Sequence, residues 1–166
     1  MKSLNNWLLV LSVLSCFGCS SPVHEDDRGC AFVSDSIQYR VEFMSAGCVR
    51  ILSFPEGDTL VTRRLVVDSE KPAFKDYKWE DTGQKLLFRT RELSVVFDKA
   101  DVAFTFQETS TGKLLLKEKG DRKARNFKRS VAGGEQCLEV TQRFVPTEDE
   151  AIYGLGQYQN GIMNYR

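Results

Sequence analysis

The chain has 166 residues, of which 42% are apolar and eleven are phenylalanine, enough for the core of one domain. Its 23 basic and 23 acidic residues cancel, which argues against a protein steered by net charge to nucleic acid or to an anionic membrane. The single histidine, His24, lies in a polar N-terminal segment. We therefore predict a solvated His24, and neither a Ser-His-Asp triad nor a metal site built from several histidines.

Residues 1–19 have the pattern of an export signal. Lys2 gives a positive start, and the apolar run at residues 7–14 is far shorter than the roughly 20 residues that span a bilayer. The small residues that follow resemble a bacterial lipoprotein processing site. Cys16 fits that site better than Cys19, because an aliphatic residue and a small residue precede it at the expected positions. A plain cleaved signal peptide is the alternative.

We accordingly predict an exported protein of the periplasm or cell surface, anchored to the membrane by acyl chains on Cys16 (alternatively Cys19). Residues 20–30 are polar and acidic and are predicted to be an unstructured tether. Beyond the signal, Cys30, Cys48 and Cys137 match no metal motif. Buried free thiols are the default expectation, and a Cys30–Cys48 disulfide remains open.

Short runs of alternating apolar and polar residues follow one another from residue 36 onward. No stretch of ten or more residues has the apolar spacing of a helix. The predicted strands are residues 36–43, 48–54, 85–90, 93–98, 102–107, 114–116 and 138–144. Residues 69–81 and the charged residues 121–129 are predicted loops, the latter favoured over an anion-binding patch. These patterns predict an all-β fold, an antiparallel β-sandwich spanning residues 31–150.

Residues 151–166 combine three glycines and three tyrosines with amide side chains. Glycine permits positive φ and close backbone approach to a ligand. The alternative is a last strand, with Tyr153 and Leu155 in the core. The neighbouring carboxylates Glu148, Asp149 and Glu150 are predicted to be solvated, and Thr147 with Glu150 has the spacing of a capping box.

The sequence Glu-Ala-Ile-Tyr-Gly-Leu-Gly at residues 150–156, preceded by Phe144, resembles the end of the N-terminal domain of glycoside hydrolase family 31. That family comprises α-glucosidases and α-xylosidases, and this domain is a galactose-mutarotase-like β-sandwich. The resemblance covers residues 38–166, and its specific part is residues 153–166. Gln157 stands where many members have glutamate. The sequence from Gly156 onward is more similar to the α-xylosidase-like branch.

The resemblance implies an α-glycosidase that hydrolyses α-linked glycosides with retention and without a metal or organic cofactor. In the family both catalytic aspartates lie in a TIM barrel that follows the sandwich, so we expect no catalytic residue in this chain and no activity from it alone. Residues 151–166 would begin the connection to that barrel. The candidate substrate contacts there are Gln157, Tyr158, Asn160, Asn164 and Tyr165. The alternative is a non-catalytic, carbohydrate-binding surface lipoprotein.

Overall fold

The computed structural model describes residues 23–57, 74–120 and 127–153. Within these ranges the chain forms eleven β-strands, which are arranged in two larger sheets and one hairpin. All the strand pairs are antiparallel. In this part of the chain no helix is long and apolar enough to cross a bilayer. The prediction of an all-β, antiparallel fold is confirmed.

The first sheet has four strands in chain order. They are β1 (His24–Asp26), β2 (Gly29–Ser34), β3 (Ile37–Ser45) and β4 (Cys48–Pro55). The strands predicted at residues 36–43 and 48–54 are confirmed as β3 and β4, which form a hairpin with its turn at Ala46 and Gly47. The prediction of an unstructured tether is wrong for residues 24–30, because β1 pairs with β2 and Cys30 is fully buried. His24 is exposed, as predicted.

The second sheet has five strands, also in chain order. They are β5 (Lys78–Asp81), β6 (Lys85–Arg89), β7 (Leu93–Asp98), β8 (Ala103–Glu108) and β9 (Leu114–Lys117). The prediction of a loop is wrong for residues 78–81. Trp79 pairs with Phe88 across the strands, and this apolar contact holds in place a strand whose other residues are charged.

The hairpin consists of β10 (Phe127–Ala132) and β11 (Glu135–Val140). Its turn residues Gly133 and Gly134 have φ values of 61° and 85°, which glycine adopts without steric cost in a two-residue turn. The prediction of a loop is therefore wrong for residues 127–129, which begin β10. Residues 121–126 lie outside the described ranges.

The core lies between the two larger sheets and is rich in aromatic side chains. The period of two in β3 turns Tyr39, Val41 and Phe43 inward. Across the gap, the ring centroids of Phe32 and Phe97 are 4.8 Å apart, and those of Tyr39 and Phe104 are 5.8 Å apart. These contacts between the sheets establish a sandwich, as predicted.

The three described cysteines are free thiols, so no disulfide links Cys30 to Cys48. Cys30 is buried, as expected, and burial raises the pKa of its thiol to about 11. The expectation of burial is wrong for Cys48 and Cys137, which are exposed.

Candidate functional site

The five residues predicted to contact substrate all lie outside the described ranges, and so do Cys16 and Cys19. These residues are Gln157, Tyr158, Asn160, Asn164 and Tyr165. The described chain ends at Tyr153, whose exposure of 64% shows that the prediction of a core position is wrong. Leu155, predicted to be its core neighbour, lies beyond the described residues.

The C-terminal part of the domain exposes an unusual number of large apolar side chains. In β9 all three leucines are exposed, with Leu115 at 52%. Leu116 pairs with Phe106, whose side chain packs against the core, and Leu116 is itself 37% exposed, so the core-facing side of β9 is only partly covered. The other members of this exposed apolar set are Val131, Leu138, Val140, Phe144, Val145, Ile152 and Tyr153. Exposed apolar surface of this kind is typical of a contact with another protein region.

Glu118, which directly follows β9, joins three segments of the chain. Its side chain accepts hydrogen bonds from the backbone N–H of Phe104 (2.8 Å) and from Nε2 of Gln142 (2.6 Å). Glu118 also forms an isolated antiparallel bridge with Phe144. The loss of hydration on burial raises the pKa of its carboxyl group.

A recess of about 220 Å³ lies between the β1–β2 turn and residues 74–77. Its lining residues are Glu25, Asp26, Asp27, Arg28, Gly29, Phe74, Lys75 and Tyr77. The Glu25 carboxylate is oriented by hydrogen bonds from the Trp79 indole (2.9 Å) and the Tyr77 hydroxyl (2.8 Å), which lower its pKa and keep it ionised. Oriented carboxylates beside aromatic rings can accept hydrogen bonds from hydroxyl groups of a ligand.

Sequence reasoning missed both Glu25 and Glu118. Glu25 stands in an acidic run that was interpreted as a tether, and Glu118 stands among lysines. The partners of Glu25 are 52 and 54 residues away in sequence, so no local pattern could indicate them.

Three further carboxylates lie at residues 148–150. Glu148, Asp149 and Glu150 are exposed, as predicted. Glu150 accepts a hydrogen bond from the backbone N–H of Thr147 at 3.0 Å, which is one half of the predicted capping box, around a turn at residues 148–149. Among the described residues, no group of three His, Cys, Asp or Glu side chains is placed to hold a metal ion.

Several known proteins are similar to this chain. It is 30% identical over 132 residues to an α-xylosidase of Saccharolobus solfataricus, an alignment that covers 76% of this chain and 16% of the relative. In structure it is similar to an α-xylosidase of Xanthomonas citri, with a TM-score of 0.66 and 27% identity, over 86% of this chain and 15% of that one.

Two further crystal structures share the fold at 20% identity and a TM-score of 0.60. One is an α-xylosidase from a soil metagenome complexed with xylose, matched over 87% of this chain and 23% of that one. The other is an uncharacterised Listeria monocytogenes protein in complex with glucose, magnesium and calcium, matched over 89% of this chain and 13% of that one. The chain thus spans less than a quarter of the length of each of these relatives.

Residues 38–166 match the sequence profile of the glycosyl hydrolase 31 N-terminal galactose mutarotase-like domain. The match begins within the polar residues at the start of β3 and runs to Arg166. It includes β3 from its second residue and β4 in the first sheet, the whole second sheet and the β10–β11 hairpin. This chain therefore belongs to the family of N-terminal, galactose-mutarotase-like domains of glycoside hydrolase family 31.

Proposed function

We propose that this chain serves as the N-terminal domain of an exported, lipid-anchored α-glycosidase of the α-xylosidase type. The observation that carries the proposal is the similarity, over 132 residues, to a relative that is an α-xylosidase. In this proposal the sandwich supports a catalytic region that lies elsewhere in a longer enzyme. The hydrolysed substrates are α-linked xylosides or glucosides, and no cofactor takes part.

The exposed apolar set supports a role as one part of a larger protein. The edge strand β9 contains three consecutive leucines, at residues 114–116, and neither of its faces is fully covered. Phe144 and Val145 lie beside the end of β9, since the Val145 N–H donates to the Lys117 carbonyl at 2.8 Å. Contact with a catalytic region would remove these side chains from water.

A chimeric enzyme tests the proposal. The matching segment of the 30% identical α-xylosidase is replaced by residues 38–166 of this chain, and hydrolysis of an aryl α-xyloside is measured. We expect the chimera to be active and the same chimera with Leu115→Lys and Leu116→Lys to lose stability or activity. A well-folded but inactive chimera would argue against equivalence of the two domains.

The isolated chain should have no hydrolase activity. Incubation at high protein concentration with aryl α-xylosides and α-glucosides should release no product, because the carboxylates at residues 148–150 are exposed and the family places both catalytic aspartates in the barrel that follows this domain. Clear release of product would contradict this part of the proposal.

Lipid anchoring has a separate test. Labelling with radioactive palmitate in a bacterial host should mark the wild-type chain and the Cys19→Ser variant, but not the Cys16→Ser variant. Labelling lost only in Cys19→Ser would move the attachment to the alternative cysteine. Absence of label in all three would favour a plain cleaved signal peptide.

The second candidate is a non-catalytic carbohydrate-binding module. The recess at β1 favours it, since an oriented Glu25 carboxylate lies there beside Phe74 and Tyr77. Calorimetric titration of the chain with xylose and xylo-oligosaccharides distinguishes the two candidates. Binding that is abolished by Glu25→Ala would support the carbohydrate-binding module. Absence of binding would support only the role as an enzyme domain.

A further inference from the structure

At Glu118 the chain that leaves the edge strand β9 changes its pairing partner from β8 to the segment around Phe144. The register of β8 and β9 pairs Thr105 with Lys117, so the next pair in the ladder is Phe104 with Glu118. In a regular antiparallel ladder every second pair of opposed residues exchanges two backbone hydrogen bonds, and Phe104 and Glu118 stand at such a position. Here the Glu118 N–H donates to the Phe104 carbonyl at 2.9 Å, which is the first of the two.

The second hydrogen bond is made by the side chain. The Phe104 N–H donates to Oε2 of Glu118 at 2.8 Å, where a regular ladder would use the Glu118 carbonyl. The carboxylate thus satisfies a backbone donor of β8, which would be costly to bury without an acceptor. Because the carboxylate replaces the Glu118 carbonyl as the acceptor, the main chain after Lys117 can turn away from β8 while both backbone groups of Phe104 keep their hydrogen bonds.

The main chain on both sides of Glu118 pairs instead with the C-terminal segment. The Lys119 N–H donates to the Arg143 carbonyl at 2.9 Å, and the Val145 N–H donates to the Lys117 carbonyl at 2.8 Å. The other carboxylate oxygen accepts the 2.6 Å hydrogen bond from Gln142. One side chain therefore links β8, the end of β9 and residues 142–145.

The chain beyond Glu118 is also held closely. A Cβ atom on Gly120 would lie 2.7 Å from the carbonyl oxygen of Asp101, so the backbone there touches the β7–β8 turn and leaves no room for a side chain. The path of the backbone is thus fixed on both sides of Glu118, by β9 before it and by the contact of Gly120 after it.

We propose that Glu118 is a positioning residue whose carboxylate sets where residues 142–145 attach to the sandwich. It thereby sets the direction in which the described chain continues from the sandwich toward Tyr153. The attachment itself depends only on the contacts described above.

A charge-swap cycle tests the attachment in the 166-residue chain. Glu118→Gln keeps an oxygen for the Phe104 N–H, whereas Gln142→Glu places a second carboxylate against the first. In the double variant, the new amide at residue 118 can donate to the new carboxylate at residue 142, which reverses the original hydrogen bond. Such a cycle isolates the interaction between the two side chains.

Amide hydrogen exchange provides the readout. For Gln142→Glu we expect exchange of the Lys119 and Val145 amides to accelerate by about tenfold, and for the double variant to return close to the wild-type rate. The Thr82 and Thr90 amides, which donate to Lys85 and Leu93 at the other end of the second sheet, should change by less than about twofold. Glu80→Gln, at an exposed strand position, makes the same change in charge as Glu118→Gln and is its matched control.

Two results would overturn the inference. One is a Gln142→Glu variant whose Lys119 and Val145 amides exchange at the wild-type rate. The other is a double variant that exchanges as fast as Gln142→Glu alone. Neither result depends on enzyme activity, so failure of this inference would leave the proposed α-glycosidase function untouched, and failure of that function would leave this inference untouched.

Discussion

The two ends of this domain differ in how completely their apolar side chains are covered. Between β2 and β3 on one side and β6, β7 and β8 on the other, the large side chains are almost fully removed from water. In β9, the β10–β11 hairpin and residues 144–153, side chains of the same kind are exposed. Both regions have the β-strand pattern, so the pattern alone does not show which strands have a covering layer.

The largest expected contrast in stability is between Phe97 and Leu115. Phe97 has 0% exposure, and its ring contacts Phe32, Tyr39 and Phe104. Phe97→Ala should lower the free energy of unfolding by about 3–5 kcal/mol. Leu115→Ala should change it by about 0.5 kcal/mol or less. Urea unfolding of both variants measures the contrast, and equal losses would show that the exposed strand is packed in solution.

Two glycines extend the same comparison to the backbone. A Cβ atom on Gly29 would lie 2.1 Å from the Val41 carbonyl oxygen, and its φ is 149°, so Gly29→Ala should cost about 2–4 kcal/mol through strain and overpacking. A Cβ atom on Gly134, whose φ is 85°, would meet no atom within 4 Å beyond its chain neighbours, so Gly134→Ala should cost about 1 kcal/mol from its backbone conformation alone. Thermal unfolding ranks the two variants. A smaller loss for Gly29→Ala would mean that β2 and β3 can separate without cost.

Acid stability should reveal the ion pair that ties β1 to β3. Arg40 donates to both oxygens of Asp26, which lowers the pKa of that carboxyl to about 2 from 3.8. A carboxyl group whose pKa is lower in the folded state than in the unfolded state stabilises the fold at pH values above its unfolded-state pKa. This stability is lost as the pH falls from about 5 toward 2. Because the pair is partly exposed, we expect a contribution of about 1 kcal/mol.

Asp26→Asn should remove this part of the pH dependence. The free energy of unfolding, measured by urea titration at several values between pH 5 and pH 2, should therefore fall less steeply in the variant than in the wild type. Asp27→Asn is a suitable control, because the side chain of Asp27 is 98% exposed. Parallel curves for Asp26→Asn and the wild type would rule out the contribution.

The smallest expected effect on stability, and the most informative about the exposed region, is that of Leu115→Lys. The free energy of unfolding should stay within about 0.5 kcal/mol of the wild type. Binding of a hydrophobic dye and self-association, measured by fluorescence and light scattering, should both decrease. Unchanged dye binding would show that β9 contributes little to the apolar surface seen by solvent.

The sequence predicted the central strands well because each has its own local signal. The alternating residues of β3, β6 and β7 require one buried face, whatever lies above it. The sequence did not predict β1 and β5, because these strands are short and mostly charged. Both strands are held by contacts that are distant in sequence, since the Glu25 carboxylate of β1 accepts hydrogen bonds from Tyr77 and Trp79, which lie 52 and 54 residues further along the chain.

The sequence by itself therefore determined the fold class, the central strands and, through the motif at residues 150–156, the family. The tertiary structure decided which strands are covered, that Tyr153 is exposed, and that Glu118 takes the place of a backbone acceptor. The physical reason is that alternation and turn chemistry act between near neighbours in the chain. Burial and hydrogen-bond satisfaction depend instead on residues that only folding brings together.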